Sequence, residues 1–179
     1  MIRPTFKKSD IDRYFQKEFE KIERKTIARL RMIGELAVNM AREKGNNNPA
    51  AFPISYVPNA KPLKQRTVTQ RDIDKNPHVK QPEFGDYLEW TGNLTSSIGF
   101  FICKDGVIID QEAGTKGVGR ARKLAKEASK GRKGYVLVVT AGMEYASYVE
   151  AKGYDVISSS EIWAQREAGR LLKNLGKKK

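Results

Sequence analysis

The apolar residues of the first 45 positions recur every three or four residues, which is the spacing of one face of an α-helix. The members of this stripe are Ile11, Phe15, Phe19, Ile22, Leu30, Ile33, Ala37 and Met40. Ser9 and Asp12 form a capping-box-like start, and a basic last turn leads to Gly45. The pattern predicts one helix of roughly 50 Å, which is longer than a small domain usually covers. We expect its N-terminal half, with Phe15, Phe19 and Ile22, to contact a neighbouring subunit; a mobile lever is the alternative.

Gly34 interrupts the stripe inside the predicted helix. A glycine there weakens a helix by about 1 kcal/mol relative to alanine. We therefore expect close packing or a bend at this position.

The next segment, residues 46–86, contains six of the seven prolines, a density at which regular elements are not expected. It is also basic, with Lys61, Lys64, Arg66, Arg71, Lys75 and Lys80. We interpret it as an arm that docks on a partner, with a disordered linker as the alternative.

Short elements follow from residue 87 onward. Asp105-Gly106 lies between two apolar runs, which is a strong β-hairpin signal. Tyr135 to Thr140 is expected to form a central strand, Tyr145 to Glu150 a short helix, and Tyr154 to Ile157 a short strand. A last helix is predicted from Ser158, with Ser158 and Glu161 as a capping box. The chain is thus expected to be one α+β domain: a long N-terminal helix (1–45), the arm (46–86), and a body (87–179) with a mostly antiparallel sheet, a short helix and a C-terminal helix.

A glycine-rich insertion, residues 113–134, separates the hairpin from the next predicted strand and contains a helix-capable stretch from Ala121 to Ser129. Its cations are Lys116, Arg120, Arg122, Lys123, Lys126, Lys130, Arg132 and Lys133. Against the single Glu127 they give 8 − 1 = +7 of a total of +13. The local excess predicts contact with DNA or with an acidic protein, through non-specific electrostatic attraction. A solvated charged surface is the alternative.

Candidate chemistry is sparse. The sequence has one His (His78) and one Cys, so no catalytic residues, transition-metal site or cofactor are expected. Cys103 lies in an apolar strand and is expected to be a buried, inert thiol. No Gly-rich phosphate-binding motif is present. The remaining enzymatic hypothesis is a metal-dependent nuclease that uses Asp105, Asp110, Glu112 and Lys116 near the hairpin.

No run approaches the roughly 18 apolar residues of a membrane span, and the N-terminus lacks a signal core. A soluble protein made in the cytoplasm is expected, without a membrane partner.

Two motifs in the second half of the chain occur in a fixed order. The first is Thr-Gly-x-Leu-x-x-Ser-Ile, with Thr91, Gly92, Leu94 and Ile98. The second is Tyr-Ala-x-Tyr-Val-Glu followed by a glycine, with Tyr145, Ala146, Tyr148, Val149, Glu150 and Gly153. In this order, residues 88–175 resemble the bacteriophage tail-component family of head-to-tail joining and tail-completion proteins.

The resemblance implies a structural virion protein at the neck, synthesised in the host cytoplasm. It implies a ring of identical subunits, with a hexamer as the expected size, in contact with neck or tail-tube proteins and with genomic DNA in its lumen. Tyr148 and Trp163 are further candidates for subunit contacts. A free, non-specific DNA-binding accessory protein is the alternative function, with the nuclease as a third.

Overall fold

The computed structural model describes residues 8–46, 86–88 and 91–173 of the protein, and within them it has four α-helices, a 3₁₀ turn (Thr95–Ser97) and five strands. The helices are α1 (Lys8–Glu43), α2 (Val118–Ser129), α3 (Ala146–Ala151) and α4 (Ser158–Leu172). The strands are β1 (Gly45–Asn46), β2 (Tyr87–Leu88), β3 (Ile98–Lys104), β4 (Val107–Glu112) and β5 (Tyr135–Ala141). This is the predicted α+β fold with its long first helix.

The main sheet has three antiparallel strands in the order β4-β3-β5. The predicted hairpin is confirmed, since β3 and β4 flank Asp105-Gly106, and both turn residues have positive φ angles. Among the described residues β3 is the centre of this sheet and β5 is an edge, so the expectation that Tyr135 to Thr140 is a central strand was wrong. The residues of β5 are apolar because helices cover both faces of the sheet. A strand can be covered on both faces without having a neighbouring strand at each of its edges.

The core is divided between the two faces of β3. Side chains alternate along a strand, so Phe100 and Ile102 face α1, whereas Phe101 faces α2. Residues 98 to 103 of β3 are all buried. Cys103 is therefore a buried thiol, as expected.

Helix α4 lies beside α1 on the first face, where Ala164 packs against Ile33 and Ala37. The predicted start of α4 is confirmed, but its predicted cap was wrong. The amide N–H groups of Ile157 and Ser158 donate to Glu150 Oε1 (3.0 and 3.2 Å), and the Ser158 hydroxyl donates to the same oxygen (2.9 Å). Asp155 accepts from the N–H of Ser159 (3.0 Å).

The predicted strand from Tyr154 to Ile157 was also wrong, because these residues form the bend that leads into α4. The Ile157 N–H donates to the Glu150 carboxylate here and not to a neighbouring strand. Val156 is buried in the core below this bend.

Residues 47–85, which include most of the predicted arm and His78, lie outside the described residues. The two ends of this segment are adjacent. β1 and β2 pair in parallel, with Gly45 opposite Tyr87, and the Lys44 ammonium lies 3.5 Å from the Asp86 carboxylate. The described residues on either side of this segment are therefore adjacent.

Candidate interaction surfaces

The basic insertion is for the most part a helix held against the sheet. Ala121, Ala125 and Ser129 of α2, each four residues apart, are buried, and the two alanines pack against Phe101. Small side chains at this spacing let the helix backbone approach the sheet closely. The cations between these positions are exposed, as are all eight predicted contact cations: Lys116, Arg120, Arg122, Lys123, Lys126, Lys130, Arg132 and Lys133.

The glycines at the start of this insertion provide close packing. Gly117 has φ +63° at the N-terminus of α2, and a Cβ built there would lie 2.4 Å from the carbonyl oxygen of Gly142. The start of α2 is therefore pinned to the end of β5. Thr115 is held by a hydrogen bond, because its N–H donates to the carbonyl oxygen of Ser96 (2.7 Å).

Three of the eight cations have polar partners among the described residues. Arg120 bonds Glu144 (3.1 Å), Arg122 bonds Gln111 (3.2 Å), and Lys123 lies 4.0 Å from Glu127. The other five, which form no ion pair with any described side chain, are Lys116, Lys126, Lys130, Arg132 and Lys133. The surface of α2 is therefore strongly positive and largely uncompensated.

A second surface is the N-terminal half of α1. Within the domain the apolar face of α1 is covered, with Thr26, Leu30, Ile33 and Ala37 buried. Toward the N-terminus the same face is open, with Phe15 55% and Phe19 68% exposed. Ile11 and Ile22 are exposed as well.

The two parts of this face are continuous. Positions 11, 22 and 33 are all isoleucine, and residues at this interval fall on the same side of a helix. The Lys104 ammonium, at the C-terminal end of β3, bonds Glu23 (2.7 Å). This bond marks where α1 passes the end of that strand. The preceding part of α1 extends about 22 Å further.

The remaining predicted contact residues differ in exposure. Tyr148 on α3 is 63% exposed, and the Lys152 ammonium lies 5.2 Å from the centre of its ring. Trp163 is half-buried against α1, beside Ile33 and Ala37. Part of its surface is thus used within its own domain.

The two sequence motifs converge in one core cluster. Leu94 and Ile98 of the first motif are buried beside Ala146 of the second, and Val149 packs on the same cluster. Glu150 caps α4, as described above. Three other motif residues set the course of the chain: Thr91 accepts the Asn93 N–H (3.3 Å), and Gly92 and Gly153 have positive φ angles. Tyr145 is exposed. The structure therefore gives most of the motif residues a role in folding.

Two of the three carboxylates of the nuclease hypothesis, Asp105 and Asp110, have structural partners. The guanidinium of Arg31 on α1 donates to both carboxylate oxygens of Asp110 (2.9 and 2.5 Å). This hydrogen-bonded pair raises the pKa of Arg31, and the charge of Glu112 adds a smaller effect. Asp105 Oδ1 accepts the N–H of Gly134 (2.8 Å). Sequence reasoning missed Arg31, because an exposed arginine on a helix carries no signal of which strand it will face.

Within the part of the chain that the structure describes, no group of three metal-ligating side chains occurs. No described helix is both long enough and apolar enough to cross a bilayer.

Comparison of the chain with family models, with curated protein sequences and with solved structures found no match in any of the three. The resemblance to the phage tail-component family therefore rests on the two sequence motifs.

Proposed function

We propose that the protein is a non-catalytic structural subunit of a tailed-phage virion, which joins the head or neck to the tail and assembles into a ring around the DNA channel. In this proposal the exposed apolar face of α1 packs against a neighbouring subunit. The positive surface of α2 faces the DNA or an acidic neighbour.

The observation that carries the proposal is the continuity of the apolar face of α1 beyond its own domain. Burying apolar surface contributes roughly 25 cal/mol per Å², so an exposed row with two phenylalanines and two isoleucines favours association. The same face packs on the sheet and α4 further along the helix. A partner that covers the exposed part would therefore extend an existing helix-packing surface.

The flanks of this row also suit a protein partner. Residues 8–25 contain six cations and five carboxylates, 6 − 5 = +1, in a chain of net charge +13. A nearly neutral helix does not strongly repel a second copy, whereas α2 would. Association through α1 is therefore compatible with the high net charge.

The experiment is light scattering coupled to size-exclusion chromatography, followed by electron microscopy after mixing with phage tail tubes. The wild-type chain is expected to form rings or to cap one end of the tubes. The double variant Phe15→Ser/Phe19→Ser is expected to be a folded monomer that does not cap tubes. The control is Met32→Ser/Leu36→Ser, which removes two exposed apolar side chains of α1 outside the row and should leave assembly unchanged.

The proposal fails if the wild type stays monomeric and ignores the tubes. A second candidate function, a DNA-binding accessory protein, is favoured by the five cations that lack ion pairs with described residues. It predicts that the monomer binds duplex DNA tightly, with an affinity that falls steeply as salt rises. Tight binding by a monomer that does not assemble would favour this second function.

A further inference from the structure

A groove of about 990 Å³ lies between β4 on one side and α2 with the two residues that follow it on the other. One side is formed by consecutive residues from Asp105 to Gln111, and the other by Arg122, Lys126, Lys130 and Gly131. β4 is the last strand in the order β4-β3-β5, so its outer edge has no strand partner among the described residues. An unpaired strand edge is a template for an added strand.

β4 and α2 run alongside each other in opposite directions. Arg122 bonds Gln111 near one end of the groove, and Ser129 O lies close to Gly106 at the other end, 3.6 Å from the position of a Cβ built on that glycine. The segment from Arg122 to Lys130, the residue that follows α2, is about 12 Å long. The β4 segment from Val107 to Gln111 is about 14 Å long, so the two sides match in length.

The cations have the spacing that an extended peptide needs. Arg122, Lys126 and Lys130 are four residues apart and so follow one another along one side of α2, about 6 Å apart. Alternate side chains of an extended strand are about 6.7 Å apart. A peptide strand beside β4 could therefore place every second side chain opposite one of these cations.

The uncovered apolar side chains of β4 add a second source of affinity. Val107 is 64% and Ile109 41% exposed. The Gln111 N–H already donates to Asp110 Oδ1 (2.8 Å), so an added strand would pair mainly with residues 107 to 110. A register shift in the hairpin leaves Ile109 without a pairing partner in β3, so an added strand would have to follow a local twist of β4 at this residue.

Net charge argues against the three longer undescribed segments of the protein as occupants. Residues 1–7 contain two cations and no carboxylate, a net charge of +2, and residues 174–179 contain three lysines, a net charge of +3. Residues 47–85 contain six cations and three carboxylates, 6 − 3 = +3. All three would be repelled by the cations of the groove.

We propose that this groove binds an extended acidic segment of a partner protein, which adds as a strand to β4 and places alternate carboxylates opposite Arg122, Lys126 and Lys130. The alternative of a nucleic acid is less well matched, because no aromatic side chain lines the groove to stack on a base. A strand edge also offers amide groups that a peptide backbone satisfies. This inference stands whether or not the proposed function is correct.

The test is fluorescence anisotropy with the full chain and a labelled peptide of about ten residues that alternates glutamate and valine. The first control is the same peptide with every second amide N-methylated, which keeps the charge but blocks strand pairing. The variant Lys126→Gln/Lys130→Gln should weaken binding about tenfold. The matched variant Lys123→Gln/Lys133→Gln changes the net charge equally outside the groove and should change binding less than about twofold.

Amide chemical-shift changes should be concentrated at Val107 to Asp110 when the unmodified peptide is added. The proposal is wrong if the peptide does not bind, if the N-methylated peptide binds equally well, or if the two double variants weaken binding to the same extent. It is also wrong if a duplex of about 20 base pairs displaces the peptide and shows the same dependence on Lys126 and Lys130, since the groove would then be a nucleic-acid site.

Discussion

The ring of Phe100 lies directly against the backbone of Gly34, so that a Cβ at position 34 would be 2.6 Å from Phe100 Cγ. Phe100 is fully buried at the centre of the sheet and has no room to move away. The glycine in the middle of α1 thus allows the helix to approach β3 at this point, and the expectation of close packing is confirmed.

Gly34→Ala is therefore expected to destabilise the protein. The intrinsic gain in helix propensity is about 1 kcal/mol, and forcing a methyl group into a packed core typically costs 1–3 kcal/mol, with the short distance here pointing to about the upper end. We expect a net loss of about 1–2 kcal/mol in the free energy of unfolding, measured by urea denaturation.

The matched control for this change is Gly169→Ala in α4, where a Cβ would meet nothing within 4 Å. The same substitution there should be neutral or stabilising, by up to about 1 kcal/mol. If both variants change stability in the same direction, close packing between Gly34 and Phe100 does not decide the effect.

Glu150 is the next position at which a substitution should have a specific effect. Its Oε1 atom accepts three hydrogen bonds at the start of α4, and its negative charge lies near the positive end of that helix. Glu150→Ala should lower the free energy of unfolding by about 1–2 kcal/mol, as the loss of a good helix cap does. Urea denaturation measures this change.

Glu161→Ala is the control, because Glu161 also lies in the first turn of α4 but is exposed and accepts no bond from the helix N-terminus. If Glu161→Ala costs as much stability as Glu150→Ala, general electrostatics at this helix end would explain the result, and the cap would not.

Glu150 and Gly34 also illustrate what the sequence could and could not predict. The period of apolar residues, the Asp105-Gly106 turn and the serines at the start of α4 are local signals, and the elements that they predict are present. The cap of α4 depends on Glu150, which lies eight residues before Ser158 and reaches it only because α3 folds back. Ser158, the expected cap, donates to that carboxylate instead.

The candidate surfaces follow the same division. The cations of residues 113–134 were identified from the sequence, because clustered charge is visible without a fold. Their arrangement beside the open edge of β4 was not predictable, since it requires α2 to lie across the sheet and β4 to be an edge strand. The exposed part of the α1 stripe could be suspected from its length alone, which exceeds what a small domain covers.

The ion pair between Glu23 and Lys104 should make stability depend on pH. The hydrogen bond from Lys104 lowers the pKa of Glu23 below 4.5, and a smaller contribution comes from Tyr135. A carboxylate with a lowered pKa stabilises the folded state above its unfolded pKa, and this contribution disappears as the pH falls through the folded value. The hydrogen bond to Glu23 also raises the pKa of Lys104. The stability that the Lys104 ammonium contributes is therefore fully present below pH 10.5.

Glu23→Gln is accordingly expected to lower the melting temperature at pH 7, and to lower it less at about pH 3, where the wild-type carboxylate is largely protonated. Thermal unfolding at both pH values measures the difference. Glu20→Gln removes the same charge from a neighbouring exposed position without an ion pair to a described residue, and should show a smaller change with pH. An equal effect of Glu23→Gln at both pH values would show that its carboxylate does not provide the stabilisation.

The pair of Arg31 and Asp110 distinguishes a structural role for Asp110 from the nuclease hypothesis. Arg31 donates to both carboxylate oxygens and so joins α1 to β4. Asp110→Asn removes the negative charge and replaces one accepting oxygen by an amide NH₂ group that cannot accept a hydrogen bond, so the melting temperature should fall. Arg31→Gln should have a similar effect, and the double variant should be little worse than either single one, because all three lack the same interaction.

A nuclease would instead show Mg²⁺-dependent cleavage of plasmid DNA by the wild type, lost in Asp110→Asn and retained in Arg31→Gln. That outcome would assign Asp110 to catalysis and contradict the structural role argued for it.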